Sequence, residues 1–140
     1  LNVGVLAKIV IICAMTWRWT GYNTVMILGG LQSISNDLYE AAAIDGANKR
    51  QQFLSITIPG IKPVLLLSVI LSVTGTLQLF TEPYLLTYGG PMNATLTMVP
   101  YLYKIGFKTF NFGAASAGSY VLAIMIGILT FLQLKVTKGD

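Results

Sequence analysis

Arg18 and Glu82 stand in or beside stretches of otherwise apolar sequence, where a charge is costly unless it faces protein or water. Polar and aromatic groups gather around both. The first stretch carries Thr16-Trp17-Arg18-Trp19-Thr20-Gly21-Tyr22-Asn23-Thr24, and the second carries Thr74-Gly75-Thr76 and Gln78 ahead of Phe80 and Glu82. Such groups can line a polar path through a membrane, or carry ions as intramembrane charges. A buried amide such as Gln78 needs a partner or a cavity, although glycine flanked by threonines also serves ordinary helix packing. Bond-breaking chemistry lacks its usual tools. There is no histidine and a single cysteine, Cys13, so a Ser-His or Cys-His hydrolase is excluded within the chain and the commonest metal ligand is missing. Gly106-Phe107-Lys108-Thr109 departs from a phosphate-binding loop by the phenylalanine between glycine and lysine. If ATP is needed, a separate subunit must bind it; no cofactor is expected in this chain.

The elements that position these residues are membrane helices. Of 140 residues 54% are hydrophobic and 10% charged, a membrane composition. The stretches from about 64 to 81 and from 113 to 134 lack charge and meet the roughly 18 to 20 residues a spanning helix needs. A longer one, 3 to 34, is interrupted by Lys8 and Arg18. The reading is all-α, with three membrane helices over 3–34, 61–82 and 113–135, the first irregular at its polar cluster. Trp17 and Trp19 could instead belong to an interfacial belt, but that leaves only about twelve to fifteen residues before the next loop, too few for a span.

Between the first two spans lies a polar island, 35–60. Asp37-x-x-Glu40 has capping-box spacing, which predicts a helix starting there. It runs through Ala41, Ala42 and Ala43 and stops at Asp45-Gly46, where glycine takes the left-handed conformation that ends a helix. A second short helix is expected over 48–57, with Pro59 and Pro63 punctuating the entry into the next span. The product is a helix-turn-helix.

The net charge of +4 comes from basic residues scattered at segment ends, which sets orientation rather than nucleic-acid binding. Lys49, Arg50 and Lys62 follow the first span and Lys135 and Lys138 the third, against Lys104 and Lys108 on the other side. The positive-inside bias makes 35–60 and the C-terminus cytoplasmic. Residues 83–112 then form an external connection, punctuated by Glu82-Pro83 and Tyr88-Gly89-Gly90-Pro91, with a short interfacial helix over 97–110. The small residues from Gly113 to Ser119 let the third span pack closely. The chain begins at Leu1 without methionine and is expected to be the C-terminal piece of a longer protein.

Glu40-Ala41-Ala42, Gly46 and Ile56-x-Ile58-Pro59 together resemble the EAA loop of binding-protein-dependent ABC importer permeases. Gly29-Gly30-Leu31-Gln32-Ser33-Ile34, leading into Leu38-Tyr39-Glu40, and Leu85-Leu86-Thr87-x-Gly89-Gly90-Pro91 are similar to the sugar-importing branch, and to the first of its maltose-type permease subunits. Ile58 stands where the motif usually has leucine. The resemblance implies an importer permease core in a bacterial or archaeal inner membrane, with a second homologous permease subunit, two ABC ATPase subunits and an extracytoplasmic solute-binding protein as partners. Glu40, Ala41, Ala42, Asp45, Gly46, Ile56, Ile58 and Pro59 would form the ATPase-coupling loop. Trp17, Arg18, Gly21, Tyr22, Thr76 and Gln78 would border the substrate pathway, because sugar hydroxyls bond amides and sugar faces lie on rings. No residue is assigned to catalysis or to a metal, and the chain is not an enzyme. Three alternatives remain: a permease of this kind for another small solute, an ion-coupled transporter or channel built on Arg18 and Glu82, or a non-transporting membrane scaffold in which the polar residues merely pack.

Overall fold

The computed structural model describes residues 3–138; the start at Leu1 lies outside them, as does the side chain of Lys138. Every regular element among the described residues is helical: α1 Val3–Gln32, α2 Asn36–Ile44, α3 Lys49–Gln52, α4 Ile58–Leu77, α5 Met98–Tyr103 and α6 Phe112–Lys138, with π-helical turns at Phe53–Thr57, Pro83–Thr87 and Lys104–Lys108. The residues fall into two compact units, one of 19–69 and the other of 3–18 with 70–138.

The first helix is not irregular. Its polar cluster is absorbed without a break because hydroxyls turn back onto the helix: Thr16 Oγ1 donates to the Ile12 carbonyl at 2.8 Å and Thr24 Oγ1 to that of Thr20 at 2.7 Å. A hydroxyl satisfied within its own turn needs no partner from lipid.

In the 19–69 unit, the prolines do not interrupt the chain where expected. No separate helix ends at Thr57; α3 passes through a π turn directly into α4, giving one helical run over Lys49–Leu77. The Ile58 N–H bonds the Phe53 carbonyl, five residues back. Proline lacks a donor and clashes with the preceding turn; the wider turn just before Pro59 supplies the slack, a common use of π bulges. Two glycines then let helix ends approach. A β-carbon on Gly30 would lie 2.9 Å from Val64 Cγ2, and one on Gly60 would lie 2.7 Å from Ile34 Cδ1. Ile61 is buried beside them in sequence. Each side of this closure thus offers one glycine as a seat and one β-branched residue as the knob.

In the other unit, α4 ends at Leu77, short of the 82 expected for the second span. The Thr97 hydroxyl caps the break by donating to the Leu79 carbonyl at 2.6 Å. The connection that follows folds on itself through threonines: Thr87 and Thr95 hydroxyls meet at 2.7 Å, with the Pro83 carbonyl 3.0 Å from Thr87 Oγ1 and the Gly90 carbonyl 2.9 Å from Thr95 Oγ1, so two hydroxyl protons are shared among three contacts. Four side-chain-bearing positions here, Tyr88, Met92, Asn93 and Phe110, adopt positive φ, and Gly90-Pro91 is cis. The helix expected over 97–110 is found as α5 plus its π turn. Gly106 and Gly118 seat it against α6, since a β-carbon on Gly106 would meet Ala115 Cβ at 3.2 Å and one on Gly118 would overlap Leu102 Cδ2. An aromatic row, Phe80, Tyr84, Tyr103, Phe107 and Phe112, stacks edge and face along this packing. The Tyr84 hydroxyl is held above its ordinary pKa, first by its hydrogen bond to Tyr103 and then by that neighbour's charge.

Candidate functional site

The loop between the first two membrane-capable helices caps α2 at both ends and α3 at its start. Ser35, not Asp37, is the N-cap of α2: its Oγ accepts from the Asp37 N–H at 3.2 Å. The expected box at Asp37-x-x-Glu40 does not form and the cap lies two residues earlier, because serine in extended backbone reaches the orphan amides first. Glu40 is left exposed on the helix surface. At the other end, Ala47 N–H bonds Ala42 O at 2.9 Å and Gly46 N–H bonds Ala43 O at 3.1 Å, the paired bonds of a Schellman stop. Gly46 has φ +81° and open space where a β-carbon would stand, so backbone conformation alone demands glycine. The capping box in this loop belongs to α3, where Asn48 Oδ1 accepts from Gln51 N–H and Gln51 Oε1 from Asn48 N–H, at 3.0 and 2.8 Å.

Three polar residues to which the sequence reading assigned no role pin the helix-turn-helix together. Buried Gln52 donates through Nε2 to the carbonyls of Ala47 and Tyr39, at 3.3 and 3.5 Å. The Tyr39 hydroxyl meets the hydroxyl of buried Thr57 at 2.8 Å. The only sequence signal for them is two polar residues five apart, a spacing that shares a face in a π turn rather than an α turn. A buried amide without partners costs about 1–3 kcal/mol, so Gln52 holds the loop as one body. Of the coupling-loop residues read from sequence, Glu40, Ala41, Asp45, Gly46, Ile58 and Pro59 are exposed, and Ala42 and Ile56 are half-buried. The outward surface thus combines small and apolar groups with two carboxylates.

The pathway candidates divide between the units. Gly21 and Tyr22 belong to the 19–69 unit, where Tyr22 stands edge-on to Trp19 at 5.7 Å. Trp17, Arg18, Thr76 and Gln78 belong to the other. There Thr76 donates to Ser72 O at 2.7 Å, Gln78 is exposed just beyond the end of α4, and Trp17 is 86% exposed. Arg18 Nη1 lies 2.9 Å from Glu82 Oε1; the guanidinium side chain is 47% exposed and the carboxylate side chain 10%. Sequence placed both charges near the spans but did not pair them. Their separation of four helical elements of chain gives no local spacing to read. Among the described residues no group of histidine, cysteine or carboxylates has metal-ligand arrangement.

A family model, the binding-protein-dependent transport system inner membrane component, matches residues 2–136. The lactose transport system permease protein LacF of Rhizobium radiobacter is 48% identical over 130 residues, 91% of this chain and 44% of LacF. The arabinooligosaccharides transport system permease protein AraP of Bacillus subtilis is 40% identical over 89% of this chain and 41% of AraP. The trehalose/maltose transport system permease protein MalF of Thermococcus litoralis is 40% identical over 91% of this chain and 43% of MalF. The chain thus spans less than half the length of these relatives. Three of its helices, Val3–Gln32, Lys49–Leu77 and Phe112–Lys135, are long and apolar enough to cross a membrane. With that match and these helices, the chain belongs to the family of binding-protein-dependent transport system inner membrane components, as an all-α, multi-pass membrane protein.

Proposed function

We propose that this chain is the pathway-forming and coupling part of an ATP-driven importer permease for a neutral oligosaccharide. The observation that carries this reading is the pinned helix-Gly46-helix between two membrane-capable helices, in a chain whose relatives are named for sugar transport. The 35–60 loop docks on an ABC ATPase subunit through Glu40, Ala41, Ala42, Asp45 and Gly46, with Ile56, Ile58 and Pro59 at its exit. Because Gln52, Tyr39 and Thr57 tie α2 to the start of the α3–α4 run, a push on α2 is carried into a membrane helix rather than absorbed in a flexible loop. The membrane segments lie within 3–34, 61–82, the second helical as far as Leu77, and 113–135, with the connection 83–112 outside, where a solute-binding protein delivers the sugar. A second permease subunit supplies the other half of the path. Trp17, Arg18, Gly21, Tyr22, Thr76 and Gln78 border it, offering rings to sugar faces and hydrogen bonds to hydroxyls.

Orientation follows from lysine placement. Single cysteines at Asn48 and Asn93, in the full permease lacking Cys13, should react with a membrane-impermeant maleimide from opposite sides, Asn48 from the cytoplasm. The same preparation should retain an ATPase subunit on purification. Labelling of both positions from one side would remove the topology, and loss of any ATPase from otherwise intact protein would remove the docking role.

A further inference from the structure

We propose that Glu82 sets the charge selectivity of the pathway: seated behind Arg18, it cancels the guanidinium charge and so tunes the path to neutral polyhydroxylated solutes and against acidic ones. This rests on the reading of Arg18 as a pathway residue. The pair is lopsided. Arg18 has a side chain 47% exposed, Glu82 one only 10% exposed, and they meet at 2.9 Å. The cation is therefore the face that a solute meets and the anion is its backing. Glu82 Oε2 is buried with no hydrogen-bond partner among the described residues, so compensation of this carboxylate runs through its other oxygen to Arg18. Pro83, which follows it at the break after α4, is fully buried.

The consequence is electrostatic. An uncompensated guanidinium in a low-dielectric path attracts carboxylates and phosphates, which it binds bidentately. With a carboxylate at hydrogen-bond distance the net charge is zero, and attraction for an anion falls away. A guanidinium presents five N–H donors, and cancelling its charge does not remove them. Glu82 is thus a positioning residue that acts through Arg18.

The test is displacement of labelled lactose from the purified full transporter, in the absence of binding protein, by unlabelled lactose and by lactobionate, the acid of the same disaccharide. Wild-type protein should prefer lactose. Glu82→Gln should improve lactobionate relative to lactose by at least about tenfold, and the double variant Arg18→Gln/Glu82→Gln should lose that gain. An unchanged ratio in assembled Glu82→Gln protein overturns the proposal. The wild-type arm needs no variant to fold: protein that binds lactobionate as well as lactose also overturns it. Gln78→Leu separates the two layers of inference. If it weakens lactose binding while Glu82→Gln leaves the ratio unmoved, only the role of Glu82 fails; if neither variant changes anything, the pathway reading fails with it.

Discussion

Gly46→Val should uncouple ATP hydrolysis from sugar uptake while leaving the membrane segments inserted. At φ +81° a side-chain-bearing residue costs about 1–2 kcal/mol, and a β-branched one is least able to adopt that conformation. No steric clash contributes, since the space beyond Gly46 is open. The chain can relieve the strain by abandoning the stop after α2, which breaks the Ala47 and Gly46 bonds to Ala42 and Ala43 and moves α2 off the surface that docks. A loss of that size lowers ATPase retention or sugar moved per ATP by roughly 5- to 30-fold. Gly46→Asn is the control, because asparagine visits the left-handed region and should retain most activity. Equal behaviour of the valine and asparagine variants would place the effect elsewhere than in the backbone of the turn.

Gly30→Leu should be the most damaging substitution at the closure beneath the loop. Its β-carbon would stand 2.9 Å from one Val64 methyl and 3.1 Å from Val64 Cβ, and valine has little χ1 freedom to swing away. Overpacking of this kind costs about 1–3 kcal/mol, to be read as a lower midpoint in thermal unfolding of the detergent-solubilised permease. Gly60→Ala should be milder although its nearest approach is closer, 2.7 Å, because the atom met is the terminal Ile34 Cδ1. Adding Val64→Ala to Gly30→Ala should recover most of the loss from Gly30→Ala alone. Failure to recover would show that the two residues do not share one contact.

Much of this arrangement is legible without coordinates because it is set by local chemistry. Uncharged length predicts the helices able to cross a membrane, and Asp45-Gly46 marks the end of α2. The misreadings arise where a wider geometry intervenes. Pro59 reads as a break only if the helix must be an α-helix throughout, and the π turn over Phe53–Thr57 carries the chain past it; Pro63 reads as a break too, yet lies inside α4. Ser35 and Asp37 are both good caps, and which one wins depends on the backbone of the preceding turn, where Ser33 and Ile34 N–H groups bond back to Gly30 and Leu31. The polar run in α1 reads as a break until hydroxyls are allowed to satisfy themselves on their own helix. The Arg18–Glu82 pair depends on tertiary closure, to which no spacing along the chain points, and the Gln52 bridge to Tyr39 has only the five-residue spacing of Gln52 and Thr57 behind it.

Uptake of labelled sugar into proteoliposomes holding the full permease complex, with ATP trapped at the ATPase side and no ion gradient, is the most direct test of ATP-driven import. Coupling through the 35–60 loop predicts accumulation that requires hydrolysable ATP and collapses in Gly46→Val. Accumulation that ignores ATP, follows an imposed ion gradient and is abolished by neutralising Arg18 or Glu82 would contradict it and make this chain an ion-coupled transporter.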